Sequence, residues 1–544
     1  MTFKPLFLTF AILLLNHFDA MSQSKVERVF TNGIFYHTDF ITFKNRIFFT
    51  GSENGQFRKP YVSDGTAAGT KLLKNITIPE KNSFYSGFKP KWTISGDKMF
   101  FVASDSLNGQ ELWLTDDGTE NGTRLVKNIS PKDTSTYFYS IHSLPNGNIY
   151  FSVVPYNQPS KVQLWISDGT EGGTMPFFEA FTIRFNTYVF KNQMYYYYSD
   201  GLWQTDGTAN GTKLIKNLKD SDAQLEGPST GFAATPQKMF FITHNGLKGF
   251  ALWASDGTTV GTQMIGQGTS DTLFLGISNL TSMGDKVFFS GYSRTTASGL
   301  WVSDGTQSGT KLLKKLIGSS PLNLTVLNGK LLFSALDSQT NKWGLWISDG
   351  TESGTFSLRN DFSIGDNIPS NEPFYTLKNK AYFTTGFTTP PSSGISIFVH
   401  DNFWETDGTS RGTNTLRSFP QNNKLLYSKS NATVLGDKLY LGLNEENIGG
   451  FMFSISNSST SIKYEEWATA IQIYPTLVND WLFIESADFI IDKITIIDLL
   501  GRTVFNQNNF AKTASIPLSN LLKNGYLIRL ETSKGVVIKK FFKL

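Results

Sequence analysis

The sequence predicts an all-β chain: a β-propeller of about eight or nine four-stranded blades, followed by a small immunoglobulin-like β-sandwich. Three observations carry that prediction. The pattern Leu-Trp-x-Ser/Thr-Asp-Gly-Thr-x-x-Gly-Thr recurs eight times, an apolar aromatic run precedes each copy, and both patterns stop near Trp467, where short alternating strands take over. An irregular period of this length marks an array of supersecondary units.

The Asp of each Asp-Gly-Thr is Asp64, Asp117, Asp168, Asp206, Asp256, Asp304, Asp349 and Asp407. Seven copies carry a tryptophan, namely Trp113, Trp165, Trp203, Trp253, Trp301, Trp346 and Trp404, and Tyr61 takes that place in the first. Adjacent strand residues point to opposite faces, so a Leu-Trp pair on one strand needs apolar cover on both sides. Sheets stacked between similar sheets supply it. In Asp-Gly-Thr the carboxylate can accept the N–H two residues on, and Gly takes a positive φ. The second Gly of each copy, from Gly69 to Gly412, is expected to do the same further along the loop. Each copy is therefore a strand, a glycine-bearing hairpin loop and a strand.

Upstream lies a polar turn and then a buried aromatic strand, as in Asp97-Lys98-Met99-Phe100-Phe101 or Asp285-Lys286-Val287-Phe288-Phe289. Nine such strands occur, ending at Tyr440-Leu441. With a weak leading strand they make four antiparallel strands per unit, the pattern of a propeller blade. An elongated stack of sheets is the competing arrangement. Nine units exceed the usual range of four to eight blades, so either the ring is wide or the terminal units share one blade.

These copies resemble the ELWxxDGT repeat of secreted bacterial proteins, and their turn is similar to the Asp-box of propeller sialidases. The likeness covers roughly residues 58 to 416. It departs at Pro60-Tyr61, where Leu-Trp is lost, and at Asp116-Asp117, where one residue is inserted. The resemblance implies a fold and a secreted habit without a reaction.

Residues 1–22 read as a secretory signal peptide, with Lys4, an apolar run from Leu6 to Leu15 and Ala20-Met21-Ser22 before a mature start at Gln23. That run is too short to span a bilayer, and no later stretch reaches the roughly twenty residues needed. The chain has no cysteine, which excludes disulfides and thiol chemistry, and 49 Lys plus Arg against 45 Asp plus Glu, spread along the repeats, argue against a nucleic-acid surface. Residues 23–466 form the repeat array. Its irregular loops are Pro131 to Tyr137, Asp220 to Thr230, Arg294 to Ser298 and Thr384 to Ser393, the last being the first place to look for specificity, although a passive loop is the commoner case.

From 467 to 544, alternating strands such as Trp481-Leu482-Phe483-Ile484 and Gly525-Tyr526-Leu527-Ile528-Arg529-Leu530 make a small sandwich. Tyr474-Pro475, Asp498 with Leu500-Gly501-Arg502, Leu518 to Leu521, Gly525-Tyr526 and the basic end at Lys539 to Lys543 resemble the type A C-terminal sorting domain of the type IX secretion system in Bacteroidota. The opening Pro475-Thr476-Leu477 departs from the usual Pro-Asn-Pro. The resemblance implies passage across the outer membrane, with the secretion machinery as partner and the protein secreted or surface-attached by way of the periplasm.

Eight equivalent Asp residues argue for turn formation, because catalysis needs one asymmetric constellation. One carboxylate per loop also falls short of the six to eight oxygens that calcium takes. Asp220, Asp222 and Glu226 make a looser acidic cluster, read as a solvated loop. His37, His142, His244 and His400 show no metal-ligand spacing, and no His-Glu-x-x-His, Gly-x-Ser-x-Gly or phosphate-loop motif occurs. The expectation is no cofactor, no metal and no catalytic residue, with the repeated tryptophans as core. Two functions remain: a binding module for glycan or protein, or an extracellular polysaccharide hydrolase or lyase using non-repeated carboxylates or arginines. Arg184, Arg294 and Arg411 are too ordinary to assign.

Overall fold

A computed structural model describes residues 24–30, 35–53, 57–79, 92–130, 136–144, 146–154, 162–180, 187–198, 201–206, 208, 210–218, 224–225, 231–245, 249–266, 274–293, 298–316, 320–337, 342–360, 374–389, 397–418, 425–426, 432–445, 449–456, 471–498, 502–533 and 535–544. Contacts divide the chain into one compact unit over Gln23–Asn457 and another holding Ser458–Leu544. The expected signal peptide and the expected boundary at 466 and 467 lie outside the described residues.

Blade 2 shows the common plan. Its strands Thr93–Ser95, Lys98–Asp105, Gly109–Thr115 and Thr123–Lys127 pair in chain order, all antiparallel. They are the leading, aromatic, tryptophan and Lys-Leu strands of the repeat. Blades 1, 3, 4 and 7, over 35–72, 137–180, 187–217 and 322–359, repeat the plan as separate four-stranded sheets. Blades 5 and 6, and blades 8 and 9, keep it too, but a few extra pairs such as Phe250 with Phe274, and Leu425 with His400 and Glu445, bridge each couple.

The ninth blade settles the count. Its strands Thr433–Leu435, Lys438–Glu445 and Gly449–Ser456 come from the end of the repeat array, and its fourth strand is Lys25–Phe30, from the start. Lys25 pairs with Ser456, and Val26 with Ile455. This unit therefore lacks Asp-Gly-Thr because no hairpin is needed: its last strand arrives from the other end of the chain. Of the two alternatives raised by the sequence, the wide ring holds: the described residues form nine blades, the first unit keeping a complete sheet of its own and the ninth completed by the N-terminal strand rather than merged with the first.

Nine apolar clusters, one per seam, close the ring. Met99, Phe101 and Trp113 of blade 2 meet Phe43, Phe48 and Val62 of blade 1, and successive clusters continue around to blades 8 and 9. The ninth places Tyr440 and Met452 of blade 9 against Ile47, Phe49 and Tyr61 of blade 1. That seam excludes an open stack.

A regular irregularity sits in the tryptophan strand. Between Leu112 and Trp113 the register to the fourth strand shifts, so Leu112 opposes Lys127 and Trp113 opposes Leu125, leaving Val126 unpaired. The same shift recurs at Leu164/Trp165, Leu202/Trp203, Leu252/Trp253, Leu300/Trp301, Leu345/Trp346 and Phe403/Trp404. A bulge turns an extra side chain toward one face, and Val126, Ile215, Ile265, Leu313 and Leu358 are all buried in the seam to the next blade.

The stretch from Thr384, expected to be an irregular insertion, is strand as far as Thr389 and pairs antiparallel with Ile397–Phe403. Its pattern misled because Thr384-Thr385-Gly386-Phe387-Thr388-Thr389 alternates weakly while threonine suits a pleated surface. Residues 390–396, 131–135, 219–223, 226–230 and 294–297 lie outside the described residues.

In the C-terminal unit, a three-stranded sheet of Ile471–Tyr474, Trp481–Ser486 and Thr513–Pro517 faces a five-stranded one containing Ile491–Asp498, Thr503–Ala511, Gly525–Thr532 and Gly535–Lys543. Strict alternation puts Leu482 and Ile484 inward, with Ile494, Ile496, Ile528 and Leu530 opposite, in one core.

Candidate functional site

The Asp-Gly-Thr loops are the most repeated polar feature, and each is closed on itself. In blade 3, Asp168 Oδ1 accepts the Thr170 N–H at 2.8 Å and the Thr170 hydroxyl at 2.7 Å. Thr170 Oγ1 then accepts the Gly173 N–H at 2.9 Å, and Thr174 donates its hydroxyl to the Thr170 carbonyl at 2.6 Å. Ser167 Oγ accepts the Gly169 N–H at 3.0 Å and lies 2.7 Å from Thr174 Oγ1. The Asp-to-Thr backbone bond recurs at Asp64, Asp117, Asp206, Asp256, Asp304, Asp349 and Asp407. Donation by the Thr hydroxyl and N–H holds the carboxyls of Asp64, Asp168, Asp206, Asp256, Asp304 and Asp349 below the usual range. Asp117 is lowered in the same way, with the N–H leading.

The two glycines of the motif have different reasons. The first has positive φ, +89° at Gly169 and +97° at Gly257. The second lies outside the left-handed region, contrary to the expectation from sequence. A Cβ on Gly173 or Gly261 would instead overlap the carboxylate of Asp168 or Asp256, and all eight copies share this crowding. Close approach, not backbone angle, demands the second glycine.

These loops also sit at the seams. The first glycine packs against the preceding blade, Gly118 against Phe48, Gly257 against Tyr195 and Gly65 against Tyr440. Cations of one blade donate to loop carbonyls of the next: Arg46 to Gly118, Lys74 to Glu120, Lys127 to Thr174 at 2.8 Å, Lys238 to Gly305 and Arg359 to Thr413 at 2.8 Å. Lys44 does the same to the Asp116 carbonyl. Four of the dispersed lysines, Lys44, Lys74, Lys127 and Lys238, are thus interblade ties. The inserted Asp116 pairs with Arg124 at 2.6 Å.

The motif tryptophans occupy the seams. Trp113, Trp165, Trp253, Trp346 and Trp404 are buried, and Trp203 and Trp301 are partly so. Trp253 donates its indole N–H to Thr243 Oγ1 and Trp404 to Thr385 Oγ1, both at 3.0 Å. Among the described residues no three His, Cys, Asp or Glu side chains gather into a metal-holding group. Asp220, Asp222, Glu226, Arg184 and Arg294 lie outside the described residues, and Arg411 is exposed.

Two buried carboxyls escaped the sequence reading. Glu111, wholly buried, accepts the Ser130 N–H at 3.0 Å and the Thr136 hydroxyl at 2.9 Å, clasping both flanks of residues 131–135. Burial raises its pKa to about 7 against these hydrogen bonds. With no exposed surface it is placed to hold a loop rather than to meet a substrate. Glu405, 2% exposed, pairs with Lys380 at 2.9 Å and accepts the Ser24 N–H at 3.3 Å. Beside it, Ser24 Oγ and the Tyr382 hydroxyl are 2.8 Å apart, and burial raises the Tyr382 pKa to about 12. The signal was available for Glu405, a carboxylate at a strand position that is uncharged in the other blades; at the position of Glu111, blade 1 also carries a charge, Lys59.

In the C-terminal unit Asp498 accepts both the Arg502 N–H at 2.9 Å and its Nε–H at 2.7 Å. Tyr526 donates to the Leu522 carbonyl at 2.9 Å and stacks on Phe541. Of the residues that carried the resemblance, Asp498 and Arg502 thus bind each other, and Leu518, Tyr526 and Phe541 belong to the core.

Residues 472–543 match the family described as the secretion system C-terminal sorting domain. The chain thus carries the tail of a type IX secretion cargo on a propeller scaffold. No curated protein matches the chain. Among solved structures it is similar to a puromycin-hydrolysing peptidase of Mycobacterium tuberculosis, with 9% identity over 76% of this chain and 59% of that one and a TM-score of 0.38. It is similar to PorZ, an essential surface component of the type IX secretion system of Porphyromonas gingivalis, with 11% identity over 94% and 82% and a TM-score of 0.24. The β-propeller domain of the Trilobed protease from Pyrococcus furiosus gives 11%, 72%, 97% and 0.34. The chain spans less than three fifths of two puromycin-hydrolysing chains, 58% and 59%. At these scores the blade count rests on the strand pairing alone.

Proposed function

We propose that this is a secreted or cell-surface propeller, delivered by the type IX machinery, that acts as a binding module for a glycan or a protein. The observation that carries the reading is the sorting domain at 472–543 behind a propeller. Supporting it, the repeated carboxylates are each engaged by their own loop and the repeated indoles lie in seams, so the repeat builds a scaffold and recognition falls to the loops that differ between blades. We further propose residues 1–22 as a signal peptide leading through the periplasm, 23–466 as an ELWxxDGT-repeat propeller of a Bacteroidota protein, and 467–544 as the sorting domain. In this reading the eight Asp residues and seven Trp residues of the motif have structural roles.

Removing Trp467 to Leu544 is expected to leave the protein in the periplasm; normal surface delivery of the truncated chain would refute the sorting role. Glycan and protein arrays probed with the full chain, with product analysis of each hit, test the binding role. Product formation abolished by changing one non-repeat carboxylate would replace the binding module with a hydrolase or lyase.

A further inference from the structure

Blade 8 breaks the repeat at one buried position. The residue after the motif aromatic turns toward the following blade, and in blades 1, 2, 3, 5, 6 and 7 it is Val62, Leu114, Ile166, Ala254, Val302 and Ile347, each packed in that seam, while blade 4 has the partly buried, uncharged Gln204. Blade 8 places Glu405 there. Burying an ion pair where six other seams bury hydrocarbon carries a desolvation cost and is weak evidence for stability, but it can fix a unique arrangement. What sets this seam apart is that the far blade is completed by the opposite end of the chain. The partners of Glu405 and of its neighbour Tyr382 include Ser24, the residue immediately before the closing strand.

We propose that Glu405, Lys380 and Tyr382 form a socket for Ser24 that sets the register of the closing strand Lys25–Phe30 and so locks the ring. Backbone pairing is blind to a slip of two residues, which keeps every side chain on its own face. The strand is short, and its register already shifts between Arg28 and Phe30. Val26 must reach the seam of blades 8 and 9, and Val29 the seam of blades 9 and 1. Backbone ladder bonds do not distinguish that register from its neighbour; a directional bond at each Ser24 polar group does. Tyr382 supplies one at the hydroxyl and Glu405 the other at the N–H, while the 2.9 Å contact from Lys380 holds the Glu405 carboxylate in place.

The test is amide hydrogen exchange on the full chain. Glu405→Gln and Ser24→Ala are each expected to speed exchange of 25–30 and 449–456 by roughly tenfold, with blades 2 to 7 unchanged and with little further effect in the double variant. Glu405→Leu, which gives blade 8 the hydrocarbon of blades 1, 2, 3, 5, 6 and 7, separates the roles. If it exposes 25–30 while the rest stays protected, the socket stands; wild-type protection in Glu405→Leu, or a uniform rise across all blades, overturns it.

Discussion

Leu252 and Trp253 are neighbours in the chain and lie in different cores. Trp253 joins Phe190, Tyr195 and Phe241 in the seam between blades 4 and 5, whereas Leu252 joins Phe274 and Phe289 in the seam between blades 5 and 6. The pleat produces the division, since adjacent side chains leave a strand on opposite faces. Every Leu-Trp pair in the repeat divides in this way, the tryptophan facing the preceding blade and the leucine the following one. The motif is a two-sided joint, and its recurrence makes a ring.

Trp253→Ala is accordingly expected to cost about 3 to 5 kcal/mol, from lost burial, the cavity, and an orphaned Thr243 hydroxyl. The check is a denaturation midpoint against Val260→Ser, a change at an 83% exposed site that should leave the midpoint where it was. An unaltered midpoint for Trp253→Ala would contradict the seam assignment.

The second glycine gives a sharper test because its partner is known. Gly261→Ala drives a methyl into the Asp256 carboxylate and should destabilise by about 1 to 3 kcal/mol, the range of overpacked sites. In an Asp256→Ala background much of that cost should vanish, because the overlapping group is gone. The measurement is a double-mutant cycle by denaturant unfolding. Simple additivity would show that Gly261 is required for another reason.

Much of this was legible in advance, for a physical reason. Repetition exposes the period, the aromatic strand and the turn, so four strands per blade and the two-sided tryptophan strand follow from pattern alone. The shared ninth blade was legible only as a count of nine aromatic strands against eight turns, because pairing between Val26 and Ile455 leaves no local mark. The second glycine was misread since its cause is a side chain five residues back rather than its own φ. Glu405 and Glu111 were missed because attention to what repeats hides the residue that does not.

Glu111 makes stability depend on pH in a stated direction. Its folded pKa of about 7 lies above the ordinary 4.5, so between those values the folded chain holds the proton that the unfolded chain has released. Stability therefore falls as pH rises through this window, and below it the contribution is flat. Glu111→Gln keeps an acceptor for Ser130 and Thr136 but cannot ionise. The expected result is a smaller loss of melting temperature between about pH 5 and pH 8 for the variant than for the parent. Parallel pH profiles would show that Glu111 stays charged and solvated.

Ring closure can be trapped covalently, because the chain has no cysteine to compete. Glu27 and Ser454 are direct partners in the pairing of the first strand with the last blade. Glu27→Cys with Ser454→Cys should form a disulfide on oxidation and cross-link residues far apart in sequence. Constraining so long a loop in the unfolded chain typically stabilises by about 2 to 4 kcal/mol if native geometry is undistorted. The oxidised form should therefore melt above its own reduced form. A pair one step out of register, Arg28→Cys with Ser454→Cys, places the two side chains on opposite faces and should cross-link slowly or not at all. Equal cross-linking by both pairs would mean that the first strand samples several registers, and the ninth blade would then be a loose cover rather than a fixed member of the ring.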